Sequence, residues 1–281
     1  MGGNSSPRHH FQITGQMGII ALKNSKFPKI MFQTWETYDI EPEFKNIINL
    51  WKKYNPDYTY MFFDRNERRE FIKENFDENV LKTYDKILPG ACKCDLWKYC
   101  ILYIHGGFSF DLDTLCMGKL DDLIHDDVDF IVPIDLNTNP TEGEYNLAVG
   151  FIGSVPRHPI FMEAINKIVK NVLNNTLPPS KLDFTGPGLL GRAVNIYTKR
   201  DETSSFKNKE GIRNNINFLH FDPETEYMKD ITNNTIILQN KNKNQDIIRL
   251  YNIECSKIKD FKCWVSSKDV IPGSDVNLLT I

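Results

Sequence analysis

A double glycine, Gly106-Gly107, separates an expected helix from an alternating strand, and no other feature restricts the fold as much. Before it, Pro89-Gly90 opens a helix expected from about Ala91 to His105. After it, Phe108-Ser109-Phe110-Asp111-Leu112-Asp113 alternates apolar and polar. Helix and strand therefore meet at the glycines, one of them in the left-handed conformation that ends helices. On a strand, Phe108, Phe110 and Leu112 face one side, and Ser109, Asp111 and Asp113 the other. The two aspartates then stand about 6.5 Å apart at Cα. Carboxylates that close repel unless positive charge lies between them, and a hard divalent cation that prefers oxygen supplies it.

The rest of the chain alternates helices and strands. Phe27 to Trp35 reads as a buried strand running into a loop, Glu41 to Tyr54 as a helix, and Tyr58 to Phe63 as an aromatic strand. Asp64 opens another helix with Glu67 in the capping-box position. The charged run Asp64 to Glu70 reads as a solvated helix face. Further strands are expected at 129–133, 147–153, 216–220, 235–239 and 247–251, the last two as a hairpin, with helices at 159–173 and 188–197. This is an α/β pattern: a mostly parallel central sheet, flanking helices and an irregular C-terminal part. Neither an internal repeat nor a linker divides it. Residues 27–281 read as a single domain behind a flexible tail over residues 1–26.

Composition narrows the class. With 281 residues, 41% of them hydrophobic, the chain can bury a sizeable core. A net charge of −3 speaks against a nucleic-acid partner, which selects basic surfaces. Cys92, Cys94, Cys100, Cys116, Cys255 and Cys263 form no Cys-x-x-Cys pair, which argues against structural zinc. They read as reduced, buried thiols of a reducing compartment. No apolar run is long enough for a transmembrane segment.

Helical spacing adds to the aspartate pair. Asp95 and Lys98 are three residues apart and share one helix face. The glycines end that helix and begin the strand, so both can lie near Asp111 and Asp113. Ligands of open α/β sheets gather at the carboxyl ends of strands.

The stretch Ala91-Cys92-Lys93-Cys94-Asp95-Leu96-Trp97-Lys98-Tyr99-Cys100-Ile101-Leu102-Tyr103, then Gly106-Gly107, then Asp111-Leu112-Asp113, resembles the sugar-binding region of glycosyltransferase family 32. That family includes yeast-type initiating α-1,6-mannosyltransferases and is related to glucosylating clostridial toxins. Pro28-Lys29-Ile30 with Gln33-Thr34-Trp35, then Trp51 with Asn55-Pro56-Asp57-Tyr58, and Thr185-Gly186-Pro187 extend the resemblance over roughly residues 27–190. Lys98 stands where the family usually has Arg, and Phe32 where many members have His.

The resemblance implies a GT-A-type nucleotide-sugar fold and a retaining transferase. Its donor would be GDP-mannose or a UDP-hexose, and its acceptor a glycan or protein. It implies Asp111 and Asp113 as ligands of Mn²⁺ or Mg²⁺, and catalytic roles for Asp95, Lys98, Asp111 and Asp113. The donor would be held by Gln33, Thr34, Trp35, Asp95, Lys98, Gly107, Thr185 and Gly186, with Trp35 stacking on the base. Two other readings share these motifs: an inactive sugar- or nucleotide-binding module, and a toxin-like enzyme that glycosylates protein. The expected setting is soluble, in a bacterial, viral or host cytoplasm.

Overall fold

A computed structural model describes residues 26–135 and 144–239, apart from 177, 179, 208, 223 and 226, together with Arg249. In chain order the elements are β1 (Ile30–Thr34), α1 (Pro42–Tyr54), β2 (Thr59–Phe63), α2 (Arg65–Asn75), α3 (Glu78–Lys86), α4 (Gly90–His105), β3 (Gly107–Phe110) and β4 (Leu115–Cys116). There follow β5 (Phe130–Pro133), β6 (Phe151–Ser154), α5 (Pro159–Leu173), α6 (Pro187–Tyr197), β7 (Gly211–Arg213), β8 (Ile216–Phe221), β9 (Tyr227–Asp230) and β10 (Thr235–Gln239).

The sheet runs β2-β1-β3-β6-β5-β8-β9-β10-β4, with β7 paired to β8. It is mixed rather than mostly parallel. Among the described residues only β1/β2, β1/β3 and β5/β8 pair in parallel. β6 enters antiparallel between β3 and β5, and β8, β9, β10 and β4 form an antiparallel run. In the β8–β10 run the reason is connection length: a turn of a few residues, as between β9 and β10, can only reverse the chain, whereas a parallel neighbour needs a crossover of a dozen residues or more. The expected partner of β10, residues 247–251, lies outside the described residues apart from Arg249. So do Cys255 and Cys263 and the whole of the 1–25 tail.

Two apolar layers cover the sheet. On one face α2 to α6 pack against Phe32, Phe63, Val132, Ile152 and Phe218. On the other, α1 with its buried Phe44, Ile47, Ile48 and Trp51 packs against Met31, Phe108, Phe110, Phe151 and Leu219. Among the described residues no helix is long and apolar enough to cross a membrane. Cys92, Cys100 and Cys116 are buried free thiols, and Cys94 is half-buried.

The helix–strand junction uses both glycines. Gly106 caps α4 with φ +63°, and Gly107 follows with φ +86°. A Cβ on Gly106 would lie 2.6 Å from the Pro156 nitrogen, and one on Gly107 2.6 Å from the Ile30 carbonyl oxygen. Phe108, Phe110 and Leu112 point into one apolar layer as the alternation requires. The strand nevertheless stops at Phe110. Asp111 still bonds through its N–H to the Gly150 carbonyl, but the next residues turn, closed by Thr114 N–H to the Asp111 carbonyl at 3.1 Å. Asp111-Leu112-Asp113 is thus a turn at the carboxyl end of β3 and not part of the strand itself; aspartate at the first position favours such turns.

Two further expectations change. The strand expected from residue 147 begins only at Phe151, because 147–150 bend past α4. The run Asp64 to Glu70 is not wholly solvated. The capping box of Asp64 and Glu67 forms as expected, but Arg68 shares the inner face of α2 with Phe71 and Ile72 and is completely buried.

Candidate active site

α4 carries the charged pair, and its carboxyl-terminal neighbours supply the partners. Lys98 and Asp95, one helical turn apart, approach to 3.9 Å. Lys98 Nζ donates to Asp111 Oδ1 at 2.5 Å and to the Val149 carbonyl at 3.1 Å. The ammonium is 3% exposed, while the Asp111 side chain is 40% exposed. Burial disfavours the charged lysine, but Asp111 and Asp95 outweigh it and hold Lys98 above its usual range.

Asp95 is fixed from the other side. Thr185 Oγ1 donates to Asp95 Oδ2 at 3.0 Å, and Tyr99, the next buried polar group on α4, donates to the Thr185 carbonyl at 2.6 Å. A Cβ on Gly186 would come within 3.7 Å of Asp95 Oδ2. Burial pushes the Asp95 carboxyl up to about 7, against the pull of Lys98 and with the push of Asp111.

The structure therefore brings together Asp95, Lys98, Asp111, Thr185 and Gly186, drawn from residues 90 positions apart. Asp113 follows in the same turn and is 2% exposed. Gln33 joins through the backbone: its Nε2 donates to the Asp111 carbonyl at 3.0 Å, and its Oε1 accepts from the Tyr60 hydroxyl at 2.8 Å. Gln33 thus sets the position of the turn. Thr34 spends its hydroxyl on the Phe63 carbonyl at 2.6 Å. Trp35 is 6% exposed and packs in the apolar layer with α1. Gly107 is not brought to the cluster. It begins β3, whereas Asp111 follows the far end of that strand.

Sequence reasoning missed two parts. One is Arg68, which donates from Nη1 to Thr34 Oγ1 at 2.7 Å and to the Trp35 carbonyl at 3.0 Å, from Nε to the Tyr84 hydroxyl at 3.2 Å, and from Nη2 to Glu36. It pins the loop leaving β1. Its signal was an arginine on the stripe of Phe71 and Ile72. The other is the backbone at Val149 and Gly150, for which a sequence holds no signal because every residue has a carbonyl.

The donor set suits a divalent cation that shares its ligands with phosphate. Among the described residues no group of three or more His, Cys, Asp or Glu side chains could enclose a metal ion. Two neighbouring aspartates are a small protein share, and Mg²⁺-like ions are commonly held by one or two carboxylates plus substrate phosphates and water.

Residues 41–129 match the family model described as glycosyltransferase sugar-binding region containing DXD motif. A protein of Acanthamoeba polyphaga mimivirus, Uncharacterized glycosyltransferase L373, is 32% identical over 180 residues, which is 63% of this chain and 68% of that one. The chain belongs to the DXD-motif glycosyltransferase family. The matched span contains Asp95, Lys98, Asp111 and Asp113, and stops before Thr185. This glycosyltransferase is also similar to Mannosyl phosphorylinositol ceramide synthase SUR1 of Saccharomyces cerevisiae, 33% identical over 52% of this chain and 36% of that protein. Inositol phosphoceramide mannosyltransferase 2 of Schizosaccharomyces pombe is 30% identical, and the chain spans 41% of its length. A looser likeness is to PaToxG Glycosyltransferase, with TM-score 0.46 and 14% identity over 62% of this chain and 70% of that one.

Proposed function

We propose that this glycosyltransferase moves mannose from GDP-mannose to a glycan or protein acceptor, with retention of configuration and with Mn²⁺ or Mg²⁺. The single observation that carries the reading is the contact of Lys98 with Asp111 beside an Asp95 held by Thr185. It puts one ammonium and two carboxylates at the carboxyl end of β3, within the span that the family model covers. The choice of mannose rests on the names of the fungal relatives, which are mannosyltransferases.

In this reading Asp111 and Asp113 hold the cation. When bound, it supplies Lewis-acid charge to the departing diphosphate. Asp95 accepts hydrogen bonds from hydroxyls of the donor sugar, and Thr185 keeps its carboxyl turned toward them. Lys98 offsets part of the carboxylate charge before the donor arrives. It also keeps one positive charge next to the leaving group, where a preorganised charge in a poorly solvated site contributes most. Trp35 would form a buried wall behind the donor; its ring face is not open enough to serve as a platform.

The test is turnover of GDP-mannose, with UDP-hexoses in parallel, with and without Mn²⁺. Mannose release or transfer that needs Mn²⁺ supports the reading. Turnover of a UDP-hexose alone overturns the choice of donor, and binding without turnover of any sugar nucleotide overturns the enzyme reading.

A further inference from the structure

Outside the cluster, three buried or half-buried polar side chains, one of them on α6, close a triangle. Arg192 Nη2 donates to Asp183 Oδ2 at 2.9 Å and to the Tyr145 hydroxyl at 3.0 Å. That hydroxyl in turn donates to the Asp183 carboxylate, at 3.2 and 3.1 Å from its two oxygens. The guanidinium also lies over the Tyr145 ring, 4.8 Å from its centre. Asp183 is 6% exposed and Tyr145 9%.

Each corner belongs to a different segment, and two of these segments touch α4. Asp183 ends a short helical turn, Lys181–Asp183, two residues before Thr185, whose hydroxyl holds Asp95. Tyr145 precedes Val149, whose carbonyl accepts from Lys98, and Gly150, whose carbonyl accepts from the Asp111 N–H. Arg192 lies on α6, which begins directly after Gly186. The segments are pressed together without slack. Leu147 N–H bonds to the Pro187 carbonyl at 3.1 Å, and a Cβ on Gly191 would lie 1.7 Å from the Tyr145 carbonyl oxygen.

We infer that Arg192 is a positioning residue: through Asp183 and Tyr145 it holds the two backbone segments that fix Asp95 and Lys98. The inference rests on the reading of Asp95 as the donor-sugar contact. A planar guanidinium reaches two acceptors at a set angle, which a lysine ammonium does not. Displacement of a binding group by about 1 Å can cost on the order of a hundredfold in rate. Arg192 lies beyond the family-matched span.

The experiment compares R192A, R192K, Y145F, T185V and the double variant R192A/T185V with the unaltered chain. Hydrogen–deuterium exchange reads the segments directly, and steady-state kinetics with GDP-mannose and Mn²⁺ reads the site. The expected result is faster exchange at 146–150 and 184–187 in R192A, with the α4 amides unchanged and an intermediate effect in R192K. The KM for GDP-mannose should rise about fivefold or more, and R192A/T185V should lose less in kcat/KM than the product of the two single losses. Unchanged exchange in both segments overturns the inference, read in R192K and Y145F if R192A does not fold. So does an additive loss in the double variant, or a fall in kcat with KM unmoved, which only reports less folded enzyme. If the unaltered chain does not turn over GDP-mannose, the donor assignment fails, and the exchange measurement alone decides the role of Arg192.

Discussion

Lys98 Nζ lies 2.5 Å from Asp111 Oδ1 and links α4 to the turn after β3 across 13 positions of chain. The contact places one ammonium at a carboxylate oxygen for which a divalent cation would compete. Removing it exposes the repulsion between Asp95 and Asp111. Lys98→Met should destabilise the metal-free protein by about 2–3 kcal/mol, less than the 3–5 typical of a fully buried pair because Asp111 is 40% exposed. Mn²⁺ should restore more stability to this variant than to the unaltered chain. Urea unfolding with and without Mn²⁺ checks both, and an equal Mn²⁺ effect in the two proteins would contradict the competition.

Asp113→Ala should abolish the Mn²⁺ dependence of turnover and lower it by two orders of magnitude or more, since a lost charge stabiliser of a transition state typically costs that much. The fold should survive, because the turn is closed by backbone bonds of Asp111 and Thr114. Turnover in Mn²⁺ equal to that of the unaltered chain would remove Asp113 from the metal site.

Asp95 gives the metal-free protein a pH dependence of defined sign. Burial raises its carboxyl from 3.8 to about 7 despite Lys98. Between those values the folded state keeps a proton that the unfolded chain has lost. This group's contribution is therefore full below about 4 and declines as pH rises toward 7. Asp95→Asn should flatten that part of the profile. Unfolding free energies in EDTA at several pH values between 4.5 and 7.5 decide it, and parallel profiles for the two proteins would refute it.

Arg68 and Glu36 form a buried ion pair, 0% and 10% exposed, beneath the loop that leaves β1. Arg68→Met should cost about 3–5 kcal/mol because it strands a buried carboxylate, whereas Arg68→Met with Glu36→Leu should recover a large part of that loss. Denaturant titration of the single and double variants gives the comparison. A double variant as unstable as the single would show that the hydrogen bonds of Arg68 to Thr34 and Trp35 matter more than the charge pair.

Gly107→Ala should destabilise by about 2 kcal/mol or more. Its φ of +86° is costly for any L side chain, and the added Cβ would meet the Ile30 carbonyl at 2.6 Å. The same substitution should leave the KM for the donor nearly unchanged in the folded fraction, since Gly107 lies at the opposite end of β3 from Asp111. A raised KM at normal stability would return Gly107 to the donor site.

Much of this was legible in the chain because its signals are local. The Pro89-Gly90 opening of α4, the double glycine and the alternation Phe108, Phe110, Leu112 each depend on neighbours within one element. The capping box of Asp64 and Glu67 is likewise a four-residue property, and it formed as read. The i,i+3 spacing of Asp95 and Lys98 placed both on one helix face before any tertiary contact was known. Sheet direction was not legible in this way. Short apolar runs such as Phe130–Pro133 and Phe151–Ser154 look alike in parallel and antiparallel neighbours; short connections reverse the chain into β9 and β10, but the antiparallel seat of β6 between β3 and β5 is set by tertiary packing.

What the sequence by itself determined is the identity and order of the charged groups: Asp95 and Lys98 on a helix, a glycine break, then Asp111 and Asp113. Their covalent spacing leaves few ways to part them. What only the tertiary structure decided is which of their neighbours hold them. That Lys98 answers to Asp111 and to the Val149 carbonyl, Asp95 to Thr185, and the Asp111 backbone to Gln33 follows from packing of distant segments. The physical reason is that a buried charge must find its partners wherever the closed core leaves a donor or acceptor within reach. A sequence shows which residues need partners; the packed chain shows which ones they reach.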